Sequence, residues 1–215
     1  MGLLVMVVIK EEFRRPDELA AAGPLLQLRL FYSAVSSKVV VGVLAVMFVL
    51  QFSPVLMNPV LPLFLEELSG EGFSTVSSGV AFSVMGLTSA ISSLAMAQLG
   101  ERIGLKRLVV ACAALSGLFY LPMLAVNAVY QTIILVGVFG LFSGAMVSAS
   151  SAILSLAVPR EQHGRAFGAS QSAVSVAFAL GPIAGGAFAS AFGLRQVFLV
   201  SAVAFFIGAL VSTRF

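Results

Sequence analysis

Apolar residues fall into six long runs, and the charged residues fall only between them. The runs cover residues 39–65, 76–99, 108–126, 132–157, 166–192 and 197–212, the last of which could begin at Leu194. None contains Asp, Glu, Lys, Arg or His. A helix needs about 20 apolar residues to cross the ~30 Å hydrocarbon core of a bilayer. Strands of a membrane barrel are about half as long and alternate polar with apolar positions, which these runs do not. The pattern predicts an all-α membrane protein with six transmembrane helices.

Composition agrees. Of 215 residues, 60% are hydrophobic and 10% are charged, with a mean hydropathy of +1.08. A soluble domain carries about 25% charged residues. There are too few charges here to clothe a water-facing surface, and disorder needs the opposite composition. Cys112 and His163 are the single cysteine and histidine. That excludes a disulfide framework, a thiolate cluster, paired-His haem ligation and a multi-His metal site. An intramembrane hydrolase would need an Asp pair or a Ser/His dyad inside the spans, and neither is present. No enzyme activity and no cofactor are expected.

The positions of the charges set an orientation. Residues 10–38 hold five Lys/Arg. The connection between spans 2 and 3 has Arg102, Lys106 and Arg107, and that between spans 4 and 5 has Arg160 and Arg165. Arg214 follows span 6. These 11 basic residues share one side, and Arg195 alone lies on the other, with Glu66, Glu67 and Glu71. The positive-inside rule places the 11 in the cytoplasm. A multi-pass protein of the cell membrane with both termini cytoplasmic is expected. Charges sorted in this way serve topology, so no nucleic-acid partner is expected. Residues 1–9 are apolar but rise only about 13 Å as a helix. They read as the end of a truncated preceding helix, residues 10–38 as a cytoplasmic linker, and residues 39–215 as the six-helix bundle.

Shifting the chain by 89 residues overlays residues 77–108 on the fifth and sixth spans without a gap. Gly79 meets Gly168, Ser83 meets Ser172, Ala90 meets Ala179, Gly104 meets Gly193, Leu105 meets Leu194, and Lys106 meets Arg195. Each unit holds three helices. An odd number inserts consecutive units in opposite orientation, giving a 3+3 inverted repeat of the kind transporters use.

Between spans 2 and 3 the chain reads Ala97-Gln-Leu-Gly-Glu101-Arg102-Ile-Gly104-Leu-Lys106-Arg107. A carboxylate and several cations in so short a loop can pair with neighbouring helix ends in one conformation and part in another. This motif resembles the G-x-x-x-D-R-x-G-R-[KR]-[KR] run of the major facilitator superfamily, with Ala97, Glu101 and Leu105 departing from it. Span 5 carries Gly181-Pro182-Ile-Ala-Gly185-Gly186, similar to the G-P-x-x-G-G run of the drug:proton antiporter branch. Pro182 kinks a helix, and the glycines admit a close neighbour.

Pro54, Pro59 and Pro62 mark span 1 for breaks that freed backbone groups tolerate beside a cavity. Gln51 and Asn58, seven residues apart, share a face with Phe48. Span 4 has small residues at Gly140, Gly144, Ser148, Ser151 and Ser155, and span 5 adds Gln171. The resemblance implies that the first and fourth helices of a half line the central cavity. It therefore implies lining roles for Gln51, Asn58, Phe142, Ser148 and Ser151; Phe48, beside Gln51, and Gln171 on span 5 are further cavity candidates. It also implies a gating role for Glu101, Arg102, Gly104, Lys106 and Arg107, and kink and packing roles for Pro54, Pro59, Gly181, Pro182, Gly185 and Gly186.

Taken over nearly the whole chain, the resemblance implies the second six-helix half of a twelve-helix transporter. It would export small amphipathic compounds by alternating access, with an N-terminal six-helix half or a second copy as its partner. Groups for proton coupling would lie in that other half, since the spans hold no carboxylate. Uptake of a small metabolite by the same fold, and a non-transporting membrane scaffold, are the alternatives.

Overall fold

The structure, a computed structural model, describes residues 38–69 and 74–213. The expectations for residues 1–9 and 10–37 lie outside the described residues. Seven α-helices build the described part: α1 (Lys38–Met57), α2 (Val60–Ser69), α3 (Ser74–Ile103), α4 (Leu105–Tyr120), α5 (Val129–Ala157), α6 (His163–Phe192) and α7 (Leu194–Thr213). A 3-10 helix, Leu121–Ala125, prolongs α4, and another, Arg160–Gln162, joins α5 to α6.

Six stretches are long and apolar enough to cross a membrane, and no strand occurs among the described residues. Span 1 is α1 plus α2, and it breaks at one place. Pro59 has no N–H and pushes the preceding residue out of the α region. Asn58 accordingly sits in a turn, its N–H donating to the Val55 carbonyl at 3.2 Å. Pro54 is accommodated inside α1, and Pro62 falls in the first turn of α2, where no N–H is needed. Pro182 likewise costs α6 one backbone bond without ending the helix. Span 6 starts at Leu194.

The connection between spans 2 and 3 is not a loop. Helix α3 runs on through Glu101 and Arg102 to Ile103, and Leu105 already belongs to α4. Gly104 alone makes the turn, at φ +94°, where side chains other than glycine's are strained. Its N–H donates to the Gly100 carbonyl at 3.0 Å. Gly193 repeats this 89 residues on, again at φ +94°, with its N–H on the Ala189 carbonyl at 2.8 Å. The limits of α3 and α6, and the first residues of α4 and α7, obey the same offset.

Packing carries the symmetry further. The principal helix pairs are α3 with α5, α1 with α6, and α4 with α7. Exchanging the first three spans with the last three turns the first pair into the second and leaves the third unchanged, as a pseudo-twofold axis requires. Glycines make the pairs close. A Cβ at Gly144 would lie 2.8 Å from the Ser89 carbonyl carbon, and one at Gly117 would lie 3.1 Å from the Ala202 oxygen. Ser92 ties α3 to α5 by donating its hydroxyl to the Leu141 carbonyl.

The core centres on Tyr120, Phe139, Phe198 and Phe205, with Tyr120 5.1 Å from Phe139 and 5.4 Å from Phe205 between ring centroids. Outside it, large apolar side chains such as Leu94, Leu118, Leu156, Ile183 and Leu210 are exposed all round. In water such a surface would aggregate; in lipid it is the expected one. Helices α3 and α6 are the least covered.

Candidate functional site

A cavity of about 460 Å³ opens between α1, α5 and α6, within the range of small-molecule sites (about 300–1,000 Å³). Each helix offers it one face at helical spacing. From α1 come Met47, Leu50 and Gln51; from α5, Ser143, Met146, Val147, Ser150 and Ser151; from α6, Phe167, Ser170, Gln171 and Val174. The wall is apolar with a few uncharged polar groups, and among the described residues no titratable side chain lines it. Ser170 spends its proton on the Phe167 carbonyl at 2.8 Å. Gln51, Ser143, Ser150, Ser151 and Gln171 make no hydrogen bond to the described residues, so their donors and acceptors remain for whatever fills the cavity. The two methionines and Phe167 give the wall adaptable apolar contact.

Of the seven cavity residues expected from sequence, Gln51, Ser151 and Gln171 line this cavity. The other four lie elsewhere. Phe48 stacks on Phe52, one turn along α1, at 5.5 Å. Phe142 packs against Phe119 of α4 at 5.6 Å. Asn58 sits in the break between α1 and α2, because Pro59 ends the helix that would have kept it in register with Gln51. Ser148 continues the line of Gly140 and Gly144, whose missing side chains admit α3. On α5 small size thus marks a packing seam, and the cavity face is the neighbouring one. Sequence reasoning missed Met47, Ser143, Met146, Ser150 and Ser170. A stricter signal existed: Met47 is four residues before Gln51, and Ser143 and Ser150 are seven apart.

Gly181 and Gly185 carry the α1–α6 contact. A Cβ at Gly181 would lie 2.9 Å from Val55 Cβ, and one at Gly185 would overlap the Leu56 carbonyl. Gly186 does not share this role, since no atom of another described helix stands within 4 Å of its Cβ position. Pro54 is half-buried on α1, and Pro182 half-buried on α6.

At the expected gating motif, Arg102, Lys106 and Arg107 are exposed around Gly104 and pair with no described carboxylate. The side chain of Glu101 lies outside the described part. The repeat-related position at the opposite end of the bundle behaves differently. Arg195 Nη1 donates to the Leu124 carbonyl at 2.7 Å, and the guanidinium lies 5.4 Å over the Phe64 ring. It thereby joins α7, the 3-10 helix after α4, and α2. From the sequence it was only the stray positive charge on its side.

Comparison with known proteins places this geometry. The family model of the Major Facilitator Superfamily matches residues 5–215. Multidrug resistance protein MdtG of Yersinia enterocolitica is 31% identical over 185 residues, which are 86% of this chain and 45% of that protein. Multi-drug resistance efflux pump PmrA of Streptococcus pneumoniae is 30% identical over 202 residues, 94% of this chain and 50% of that one. MdtG of Escherichia fergusonii is 38% identical over 150 residues, 68% of this chain and 36% of the relative. The chain spans about half the length, or less, of these curated relatives.

Proposed function

The chain belongs to the Major Facilitator Superfamily, a family of multi-pass membrane transporters, and from that premise we propose that its six spans form one wall of a multidrug exporter. The cavity between α1, α5 and α6 carries the reading. Its uncharged wall, with two glutamines, free serine hydroxyls, two methionines and a phenylalanine, suits amphipathic compounds of varied shape. The names of the similar efflux proteins support the same class of cargo.

The mechanism is rocking of this bundle against a second six-helix half, which exposes the cavity to each side in turn. The poorly covered faces of α3 and α6 supply room for that counterpart: no atom of another described helix lies within 4 Å of the Cβ positions of Gly79, Gly86, Gly168 and Gly186. The counterpart is a preceding half reached through residues 10–38; a second copy in its place is the alternative that transport by the chain alone would reveal. The apolar runs of the spans offer no acid to relay a proton, Glu66, Glu67 and Glu101 lying at helix ends, so coupling groups belong to the counterpart. Glu101, Arg102, Lys106 and Arg107 form a cytoplasmic gate, each pair contributing about 1 kcal/mol or less when exposed. Both termini face the cytoplasm of the cell membrane, and the protein needs no resident cofactor and catalyses no reaction.

The test is binding and transport of rhodamine 6G. Replacing Gln51 and Gln171 together by leucine removes two hydrogen-bonding groups worth about 1 kcal/mol each. Dye binding to the purified chain should weaken roughly 30-fold. Unchanged affinity would refute the site. Liposomes holding this chain alone should not accumulate dye; accumulation would refute the need for a distinct preceding half.

A further inference from the structure

A second opening lies away from the central cavity. It is a furrow of about 450 Å³ between α4 and α7, at the end of the bundle where α3 gives way to α4. Lys106, Arg107 and Thr213 form its rim, and Val110, Ala111 and Ala114 its floor. It shares no residue with the central cavity, to which neither α4 nor α7 contributes.

The chemistry of the furrow changes along its length. Arg107, Ala111 and Ala114 succeed one another on one face of α4, at steps of four and three residues. A guanidinium at the end is thus followed by two turns without bulk. Seven residues of helix rise about 10 Å, or roughly two thirds of one leaflet's hydrocarbon depth. Lys106 and Arg107 are exposed and have no described acidic partner. Thr213 gives its proton to the Leu210 carbonyl at 2.7 Å, so its hydroxyl oxygen faces a ligand as an acceptor.

A soluble anion would match the rim but leave the floor bare. A hydrocarbon would match the floor but not two cations. A zwitterionic lipid would bring its own ammonium against Lys106. We propose that the furrow binds an anionic phospholipid. The phosphate sits between the Lys106 ammonium and the Arg107 fork. A headgroup hydroxyl donates to Thr213, and one acyl chain lies along Val110, Ala111 and Ala114. Basic pockets between helices at the cytoplasmic level recognise such headgroups. The site follows from the furrow itself and stands whether or not the chain transports drugs.

Titration of the purified full chain in dodecyl maltoside micelles, read by native mass spectrometry, tests this with phosphatidylglycerol and phosphatidylcholine. Phosphatidylglycerol should bind about tenfold tighter or more. The variant carrying Lys106→Gln and Arg107→Gln should lose that preference. Ala111→Phe, with both cations intact, should weaken phosphatidylglycerol about fivefold by filling the floor. Ala111 is exposed, so the larger ring points away from the core and the fold is retained; Ala111→Leu serves as a milder version. Arg160→Gln, an exposed cation at the same end but outside the furrow, should change affinity less than about twofold. Millimolar glycerol phosphate should not compete. The proposal is overturned if the two lipids bind equally, if Arg160→Gln is as damaging as the double variant, if filling the floor has no effect, or if free glycerol phosphate displaces the lipid.

Discussion

Adding one carbon at Gly185 should destabilise the bundle, and adding one at Gly186 should not. Both glycines lie inside α6, where alanine is intrinsically better by about 1 kcal/mol. At Gly186 the new methyl meets no atom of another described helix within 4 Å, so Gly186→Ala should keep that gain. At Gly185 it would overlap the Leu56 carbonyl oxygen and stand 3.0 Å from its carbon and 3.2 Å from Leu56 Cα. These are backbone atoms of α1, so no side chain can swing aside; the two helices must part. Overpacking of this kind costs about 1–3 kcal/mol, and here it also opens the seam that Gly181 shares. Set against the propensity gain, the net loss is up to about 2 kcal/mol, which at ~2–4 °C per kcal/mol for a chain of this size lowers the melting midpoint by up to about 8 °C. Cys112 is the single cysteine and is buried in α4. A thiol-reactive fluorophore therefore reports unfolding in detergent without labelling the native state. A Gly185→Ala midpoint at or above wild type, or an equal fall in Gly186→Ala, would refute the close-approach argument.

Arg195→Met should lower the same midpoint substantially. It removes a charge-assisted hydrogen bond worth about 1.5–3 kcal/mol and a cation–π contact worth roughly 0.5–1 kcal/mol. Lys106→Met, at the repeat-related position where the side chain is exposed and bonded to no described residue, should leave it unchanged; equal effects would dissolve the distinction between the two ends. Tyr120→Phe should be neutral or stabilising, by up to about 1 kcal/mol, because the Tyr120 hydroxyl is buried with no hydrogen-bond partner among the described residues. A clear loss of stability would mean that the hydroxyl has a partner after all, such as a buried water.

The helices were legible because lipid leaves so few options. Charge-free runs bounded by charged connections gave six spans, and the 89-residue offset gave the two tight turns at Gly104 and Gly193. Gln51, Ser151 and Gln171, cavity candidates in the sequence, stand on the wall of the cavity. What failed was azimuth. Asn58 was placed by counting seven residues along a helix that ends at Met57, just before Pro59. Ser148 was read as lining, yet it continues the Gly140–Gly144 line of α5 where α3 comes close. Arg195 looked incidental, since its carbonyl and aromatic partners come from connections distant in sequence. Long-range contacts of this sort leave no local pattern to read.

The account rests on a water-accessible cavity walled by α1, α5 and α6 inside a lipid-facing shell. Substituted-cysteine labelling in membranes tests it most directly, in a background where Cys112 is replaced by alanine. Gln51→Cys, Ser151→Cys and Gln171→Cys should react with a polar, membrane-impermeant maleimide in open vesicles. Leu118→Cys and Leu210→Cys, on the outward faces of α4 and α7, should stay unlabelled. Protection of all three cavity positions, or labelling of the two outward ones at the same rate, would contradict it.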